Sequence, residues 1–417
     1  MKKPIDIASM TATPRQEREN FLERIDFLIA TSRDPWGNIA GGKCRFVQHL
    51  LSLPHLNAAV ISNSYNPKLS AGCWSRLDWH GKAVLFFNLG YNSSSSRRPL
   101  VPLRLVTWFR YRRYLMEIRK LECRKLFIDT PEIFTTLTAL PWESICYCFG
   151  GVSNPLANSR FPWGKKISGW FMRRFYRALG HSDAILLASA DQAAIKQMRL
   201  EATPWLDSRE ILSFPTRVDC AFFRPSSSRK PPETAPTLVA CGRLTAIKGW
   251  RLLLDALSEL QRTIPEARLL WVGDGDEREA AESYARQKGL ETRFRITGMI
   301  SPKEIREYLQ DSAVGVIGSE REGWSLAMLE MLASGLPLVT TEVSGAHDLV
   351  VNGQNGFVIP ERDPAIFAAA VIRALDLPEA GKKSLEIAAR YDSGEQLEKD
   401  LLRAWPDLLR VEWKDQK

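Results

Sequence analysis

Short apolar runs of strand length alternate with longer amphipathic stretches along most of the chain, a pattern typical of parallel sheets covered by helices. In the first half we predict strands at Ile25 to Ala30, Asn57 to Ile61, Ala83 to Phe87, Lys125 to Asp129, Ile145 to Phe149, Asp183 to Ala188 and Ile211 to Pro215. Helices are predicted at Cys44 to Leu51, Val101 to Lys120 and Ile167 to Leu179. The pattern therefore predicts an α/β fold.

The pattern restarts after a polar segment rich in proline and serine, residues 224–232, which we interpret as a domain boundary. Further strands are predicted at Thr237 to Cys241, Ala267 to Val272, Phe294 to Thr297, Ala313 to Ile317 and Leu338 to Thr341, with helices at Trp250 to Arg262 and Glu277 to Lys288. We expect one domain of residues 1–225, a second of residues 226–392 and a helical segment of residues 393–417.

The most specific pattern follows the strand predicted to end at residue 317. A loop there contains Glu322 and Gly323, and a helix predicted to begin near Ser325 carries Glu330. The N–H groups of Gly323, Trp324 and Ser325 lie at a helix N-terminus, where an anionic ligand is favoured. A carboxylate only accepts hydrogen bonds, so Glu330 would meet a ligand through hydroxyls. Such a site suits a sugar nucleotide.

These residues, with the Gly335-Leu336-Pro337 turn that follows, resemble the signature of retaining glycosyltransferases of family 4. Chance spacing of two glutamates is the alternative, which the flanking residues disfavour. The resemblance implies the GT-B fold, in which two doubly wound Rossmann-like domains face each other across a cleft and the C-terminal helices cross back to the N-terminal domain. It also implies that Glu322 lies beside the donor sugar, in a catalytic position, and that Glu330 holds the ribose.

A second element, Gly242-Arg243-Leu244 followed by Lys248-Gly249, resembles the phosphate-binding part of the same family. A glycine at a strand end lets the backbone approach a ligand closely. Arg243 offers a planar fork of donors and Lys248 a point charge, which together suit the two phosphates of a nucleotide diphosphate. We predict that both act in catalysis without a metal ion; the alternative is a surface pair beside a loop.

Other glycines match the family's donor-binding turns. Gly273 follows a predicted strand, Gly298 and Met299 match the element whose backbone meets the nucleobase, and Gly42 lies in a glycine-rich loop after the first strand. The donor site implied by the resemblance comprises Gly42, Gly242, Gly273, Gly298, Met299, Gly323, Trp324, Ser325 and Glu330. No cofactor is expected beyond the nucleotide diphosphate sugar, which is a co-substrate.

The net charge of +9 is concentrated in two segments. Residues 97–125 contain ten Lys or Arg against Glu117 and Glu122, and residues 160–177 contain six basic residues, six aromatic residues and no acid. Basic faces with interleaved aromatics fit an anionic membrane surface. They also fit nucleic acid, but no recognised nucleic-acid module accompanies them, so none is expected as a partner. A third interpretation is a solvated basic face with the aromatics packed inward.

Several features favour a cytoplasmic protein that is peripheral on the inner face of the cell membrane. No apolar run approaches the ~20 residues of a membrane-spanning helix. The first residues, Met1 to Lys3, precede Pro, Asp and Thr rather than the apolar core of a secretory signal. Seven scattered cysteines favour reduced thiols, and neither a disulfide framework nor a zinc site is predicted.

One departure from the family affects the mechanism. Many members carry a histidine after the fifth strand of the first domain, whereas this chain reads Cys148 to Asn154 without one, so Ser153 or Asn154 would have to supply a hydrogen bond there. We expect a glycosyltransferase, of the hexosyltransferase type, that acts on a lipid-linked saccharide or lipopolysaccharide. The alternatives are an inactive nucleotide-sugar-binding or scaffold protein, and a nucleotide-sugar epimerase or a phosphorylase of the same fold.

Overall fold

The computed structural model describes residues 25–32, 34–37, 42–92, 102–121, 123–149, 156, 162–188, 192–203, 205–206, 210–226 and 235–409. The described chain forms two compact units. The first lies within residues 1–188, 192–214 and 397–417, and the second within residues 189–191 and 215–396.

The change from the first unit to the second between Phe214 and Pro215 lies earlier in the chain than the predicted boundary after residue 225. Residues 215–224 bond within the second unit: the Val218 N–H donates to the Tyr391 carbonyl at 2.9 Å, and Gln310 Nε2 donates to the Arg224 carbonyl at 2.6 Å. Residues 393–396 also belong to the second unit rather than to the predicted C-terminal segment. Most of the proline- and serine-rich segment lies outside the described residues.

The first unit is built on an eight-stranded sheet whose strand order is β3-β4-β2-β1-β5-β6-β7-β8. The strands are β1 Phe27–Ala30, β2 Ala58–Ser64, β3 Trp74–Trp79, β4 Lys82–Tyr91, β5 Lys125–Ile128, β6 Ser144–Phe149, β7 Ala184–Leu187 and β8 Ile211–Ser213. The helices are α1 Gly42–Leu51, α2 Leu103–Arg113, α3 Leu115–Arg119, α4 Pro131–Leu137, α5 Pro162–Leu179 and α6 Gln192–Ala202. All neighbouring strands are parallel except β3 and β4.

The helices cover both faces of this sheet. Residues of α2, α3, α4, α5 and α6 share one hydrophobic core, while α1 and the C-terminal helix pack on the opposite face. Trp405 closes that opposite face: it is fully buried, its Nε1 donates to Ser144 Oγ at 2.7 Å, and its ring meets Phe27 edge-on. Cys146 and Cys148 of β6 are both buried.

The second unit contains a six-stranded parallel sheet with the order β11-β10-β9-β12-β13-β14. Its strands are β9 Thr237–Cys241, β10 Arg268–Val272, β11 Phe294–Ile296, β12 Val314–Ile317, β13 Leu338–Thr341 and β14 Gly356–Ile359. Its helices are α7 Trp250–Leu260, α8 Arg278–Gln287, α9 Pro302–Gln310, α10 Leu326–Ala333, α11 Ala346–Leu349, α12 Pro364–Leu375 and α13 Ala380–Ala389, with a 3-10 turn at Ala246–Lys248. Helix α14 Glu395–Ala404 begins in the second unit and belongs to the first unit from Leu397 onward. Strands β12, β13 and β14 are buried along their whole length, as expected for a doubly covered parallel sheet.

The structure differs from the sequence-based prediction at one strand and one helix of the first unit. Strand β3 was not predicted, because its exposed and half-buried positions lack an apolar run; the two-residue turn His80-Gly81, with φ of 52° and 88°, is the signal that indicates the hairpin. The predicted helix Val101 to Lys120 is divided at Tyr114, whose φ of −100° and ψ of 13° depart from helical values. The Tyr114 ring packs edge-on against Phe87, which fixes this break.

Among the described residues, no helix is both long enough and apolar enough to span a bilayer.

Candidate functional site

The candidate site lies at the carboxyl edge of the second unit's sheet. From β9 the chain proceeds through β10 and β11 on one side, and then returns to β12 on the other side of β9. The carboxyl ends of β9 and β12 are therefore adjacent at a topological switch point, where open α/β sheets bind their ligands. The predicted phosphate-binding residues follow β9, and the predicted glutamates follow β12.

Lys248 and Glu322 meet at this switch point. Lys248 Nζ lies 2.6 Å from Glu322 Oε1, and the two side chains are 27% and 10% exposed. Ser319 Oγ donates to the same carboxylate oxygen at 2.7 Å. The structure thus joins two residues to which the sequence assigned separate roles, and it adds Ser319, which the sequence analysis did not single out.

Three contacts fix the loop that carries Glu322. Arg362, just after β14, donates from Nη1 to the carbonyls of Gly318 and Ser319 at 2.9 and 3.0 Å. Thr341 Oγ1 donates to the Ser319 carbonyl at 2.6 Å, and the Glu320 N–H donates to the Ile247 carbonyl at 2.8 Å. Sequence analysis missed Arg362, although an arginine directly after a strand of the same sheet edge is a signal that could have identified it.

A close backbone contact sets the position of Lys248. Gly249 has a left-handed φ of 69°, and a Cβ at this position would lie 1.7 Å from the Gly318 carbonyl oxygen. In the reverse direction, a Cβ on Gly318 would lie 2.9 Å from the Gly249 carbonyl oxygen. Only two glycines permit this approach, so the 3-10 turn that carries Lys248 lies directly against the end of β12.

Arg243 provides a second cation at the same edge. It follows Gly242, whose φ is 136° and whose N–H donates to the Val272 carbonyl at 2.9 Å. The Arg243 side chain is exposed, and among the described residues none forms a hydrogen bond or an ion pair with it. Whereas Lys248 is held by Glu322, the Arg243 guanidinium has all its donors available to a ligand.

The predicted donor-binding glycines line the same edge. A Cβ on Gly273 would lie 2.2 Å from the Gly242 carbonyl oxygen, and Gly273 forms an isolated bridge with Gly298. The Gly273 N–H donates to Thr297 Oγ1 at 3.1 Å. Met299 follows with 72% of its surface exposed. The ends of β9, β10 and β11 are therefore held together by close backbone contacts and by the Thr297 hydroxyl.

Helix α10 begins at Leu326 with Ser325 as its N-cap, which confirms the predicted start near Ser325. The Ser325 side chain makes no capping hydrogen bond. The Trp324 ring packs inside the unit, where its Nε1 donates to the Thr216 carbonyl at 2.9 Å and its centroid lies 5.2 Å from that of Tyr391. The indole thus anchors the loop, which leaves the backbone of Gly323 and Trp324 as the part suited to a ligand.

Glu330 is buried in α10 with 8% of its surface exposed. It lies near the end of β9: burial raises the pKa of the Cys241 thiol well above its usual range, and the negative charge of Glu330 adds to that rise. Glu330 therefore acts electrostatically on the last residue of β9, which directly precedes Gly242. Among the described residues, no group of three or more His, Cys, Asp or Glu could hold a metal ion.

Two predictions concern the first unit. Gly42 begins α1 there, and residues 38–41 of its glycine-rich loop lie outside the described residues. Residues 150–154, where the family histidine is missing, lie outside them as well. The residues that the structure brings together are therefore all in the second unit.

Comparison with known proteins agrees with this location. Residues 235–376 match the family model described as Glycosyl transferases group 1. A glycogen synthase of Mycobacterium tuberculosis is 33% identical over 164 residues, which are 39% of this chain and 40% of that protein. The sequence similarity thus spans less than half the length of this relative and lies within a minority of the present chain.

Solved structures match nearly the whole chain. Sucrose-phosphate synthase from Thermosynechococcus elongatus has a TM-score of 0.74 at 17% identity and covers 92% of this chain and 98% of its own. HepE from Anabaena, solved in complex with UDP, has a TM-score of 0.67 at 15% identity and covers 91% and 99%. These neighbours confirm the predicted fold class, GT-B with two Rossmann-like domains.

The backbone contact beneath Lys248 gives a test with a matched control. Gly249 and Gly289 share a φ of 69°, but a Cβ on Gly289 would meet nothing within 4 Å. Gly289→Ala should cost about 1 kcal/mol of stability, because it adds only left-handed strain. Gly249→Ala should cost about 3 kcal/mol or more, because it adds a steric clash with Gly318. Urea denaturation measures both, and equal losses would contradict the close contact.

Proposed function

We propose that this protein is a retaining, metal-independent glycosyltransferase that transfers a sugar from a nucleotide diphosphate to an acceptor hydroxyl. The observation that carries the proposal is the Lys248–Glu322 pair at the switch point of a segment that matches a glycosyltransferase family model. The pair places a cation suited to phosphate within one hydrogen bond of a carboxylate suited to sugar. Arg243, Glu330 and the N-terminus of α10 complete the donor site.

Lys248 can serve the donor without leaving Glu322. An ammonium group has three N–H donors, and Glu322 accepts only one of them. A second N–H is then available to the phosphate that carries the sugar. A phosphate bound there would lie beside the Glu322 carboxylate, and the anomeric carbon is only one oxygen further away.

The reaction would proceed by attack on the face from which the diphosphate departs. The acceptor oxygen forms a bond to the anomeric carbon as the bond to the diphosphate oxygen breaks, and the diphosphate takes the acceptor's proton. Arg243 and Lys248 stabilise the negative charge that grows on the leaving diphosphate. Glu322 stabilises the positive charge that grows on the sugar, and Glu330 accepts hydrogen bonds from the ribose.

We propose a lipid-linked saccharide or a lipopolysaccharide as the acceptor, at the inner face of the cell membrane. Support comes from the basic and aromatic residues of the first unit, which suit an anionic lipid surface. On this proposal the protein acts in synthesis of the cell envelope as a peripheral membrane enzyme.

Loss of either proposed phosphate ligand should weaken nucleotide diphosphate binding. Arg243→Ala and Lys248→Ala should each cost about 1.5–3 kcal/mol, the range of charge-assisted hydrogen bonds. The Lys248 variant should lie at the upper end, because Glu322 would then face the diphosphate without its counter-ion. Titration calorimetry with a panel of nucleoside diphosphates measures the affinities and also identifies the base.

Lys288→Ala is the matched control. Lys288 lies at the C-terminal end of α8, on the opposite edge of the sheet, and forms an ion pair with Asp255 of α7. The affinity of the Lys288→Ala variant for nucleoside diphosphate should equal that of the unmodified protein. Unchanged affinity in both site variants would remove the phosphate assignment. Transfer that a chelator abolishes and Mg²⁺ restores would instead contradict the metal-independent mechanism.

The two glutamates should affect kinetics differently. Glu322→Gln keeps the side chain's size and removes the charge beside the sugar, so turnover should fall about 10²-fold with donor affinity nearly intact. Glu330→Gln weakens contacts made alike in the ground and transition states, so it should raise the donor KM more than it lowers kcat. Donor hydrolysis without acceptor, across a panel of nucleotide sugars, measures both effects.

Full turnover in a folded Glu322→Gln variant would withdraw the catalytic role of Glu322. Nucleotide-sugar binding without hydrolysis or transfer, in the unmodified protein, would favour an inactive binding protein instead. Both outcomes are separable from misfolding, because calorimetric binding of the nucleoside diphosphate reports an intact site.

A further inference from the structure

One face of the first unit carries most of the exposed cationic side chains of the two basic segments. Helices α2, α4 and α5 pack in that order on this face, since α4 contacts both of the others and all three contribute to one hydrophobic core. The sides of α2, α3 and α5 that face away from the sheet therefore lie on the same side of the first unit. We call these outward sides the basic face.

On α5 the aromatic residues divide between core and surface. Phe175 and Tyr176 are buried, and Phe171 stacks on Phe175 with a centroid distance of 6.5 Å. Trp170 and Ile167, in contrast, are 57% and 41% exposed. The core therefore takes Phe171 and Phe175, and only Trp170 and Ile167 of these apolar side chains lie mainly on the surface. Arg160 and Phe161 lie outside the described residues.

The exposed apolar residues of α5 are surrounded by cations. The exposed basic residues on the described part of this helix are Lys165, Lys166, Arg173, Arg174 and Arg177, and that part carries no acid. The Arg174 guanidinium lies 5.6 Å from the Trp170 ring centroid, within cation–π range. The outward side of α5 thus combines positive charge with an accessible indole.

Helices α2 and α3 repeat this combination. Phe109 and Met116 are 60% and 61% exposed, and the Arg112 guanidinium lies 5.1 Å from the centroid of the Trp108 ring. Two acids in the described part of this side are paired: Glu117 with Lys120, and Glu132 of α4 with Arg104 of α2. The basic face therefore keeps a net positive charge from one helix to the next.

We propose that the basic face is a docking surface for an anionic lipid bilayer. Cationic side chains attract the headgroups, and exposed Trp, Phe, Ile and Met side chains enter the headgroup region, where amphipathic helices bury their apolar residues. Nucleic acid would use the same cations, but phosphate contacts give no role to exposed Ile167 and Met116. No residue of this face belongs to the proposed donor site, so either proposal can fail while the other holds.

Vesicle sedimentation tests the proposal. The full chain should sediment with vesicles of equal parts phosphatidylcholine and phosphatidylglycerol, remain in the supernatant with phosphatidylcholine alone, and dissociate as salt is raised. Each basic residue near an anionic surface contributes about fivefold to binding, so Arg173→Gln with Arg177→Gln should weaken it about 25-fold. Trp170→Ser should weaken vesicle binding several-fold at every salt concentration at which binding is measurable, because salt does not screen the apolar contribution of the indole.

The matched control is Lys399→Gln with Arg403→Gln, which removes the same charge from exposed positions of α14, on the opposite face of the same sheet. Its binding should equal that of the unmodified chain. Equal recovery in the supernatant with both vesicle types, or equal loss in the control variant, would overturn the proposal. So would tighter binding to a single-stranded oligonucleotide that the α5 variant abolishes, which would assign the face to nucleic acid. An unchanged circular dichroism spectrum and thermal unfolding midpoint verify that each variant is folded.

Discussion

The contact between the backbones of Gly249 and Gly318 is the constraint on which the candidate site depends. Neither residue has room for a Cβ, because each would meet the carbonyl oxygen of the other. The contact brings the turn after β9 against the end of β12, and Lys248 and Glu322 lie within a few residues on either side of it. Their 2.6 Å ion pair is thus a consequence of backbone packing as well as of charge.

The surroundings of the pair explain why this packing must be exact to bind a ligand. Glu322 is mostly buried, and a buried carboxylate loses hydration that its partners must replace. Lys248 and Ser319 replace part of that hydration by donating hydrogen bonds to one carboxylate oxygen, Oε1. Arg362 and Thr341 donate to carbonyl groups of the loop instead. The loop is therefore rigid before a donor arrives, which is the condition for electrostatic stabilisation without reorganisation.

Most strands could be predicted from sequence because they depend on local patterns: buried strands read as apolar runs, and glycines mark close approaches at strand ends. The GT-B class could be predicted because the residues around Glu322 and Arg243 resemble those of a known family. The site's contacts could not be predicted in the same way. Lys248 and Glu322 are 74 residues apart, and only the strand order makes them neighbours. Trp324 shows the same limit, since its place beside the phosphate-binding loop suggests a ligand contact while its indole bonds Thr216 instead. The break at Tyr114 depends on packing against Phe87 of a distant strand, which periodicity does not contain. Strand β3 was missed for another reason, since its only local signal is the turn at His80-Gly81.

The two units differ in how sequence encodes their surfaces, and this difference bears on how the first unit would meet a membrane. In the second unit, close contacts between backbone segments shape the candidate site, and the glycines that permit these contacts can be recognised in the sequence. On α5 the surface depends instead on which side chains are exposed. Only the fold determines that Phe175 faces the core and Trp170 faces outward. Because the core takes two of the aromatic rings, less apolar area remains for a bilayer than the sequence suggests. On the proposed docking, attraction of the basic face to lipid would therefore come mainly from charge, and binding to the bilayer would be reversible and sensitive to ionic strength.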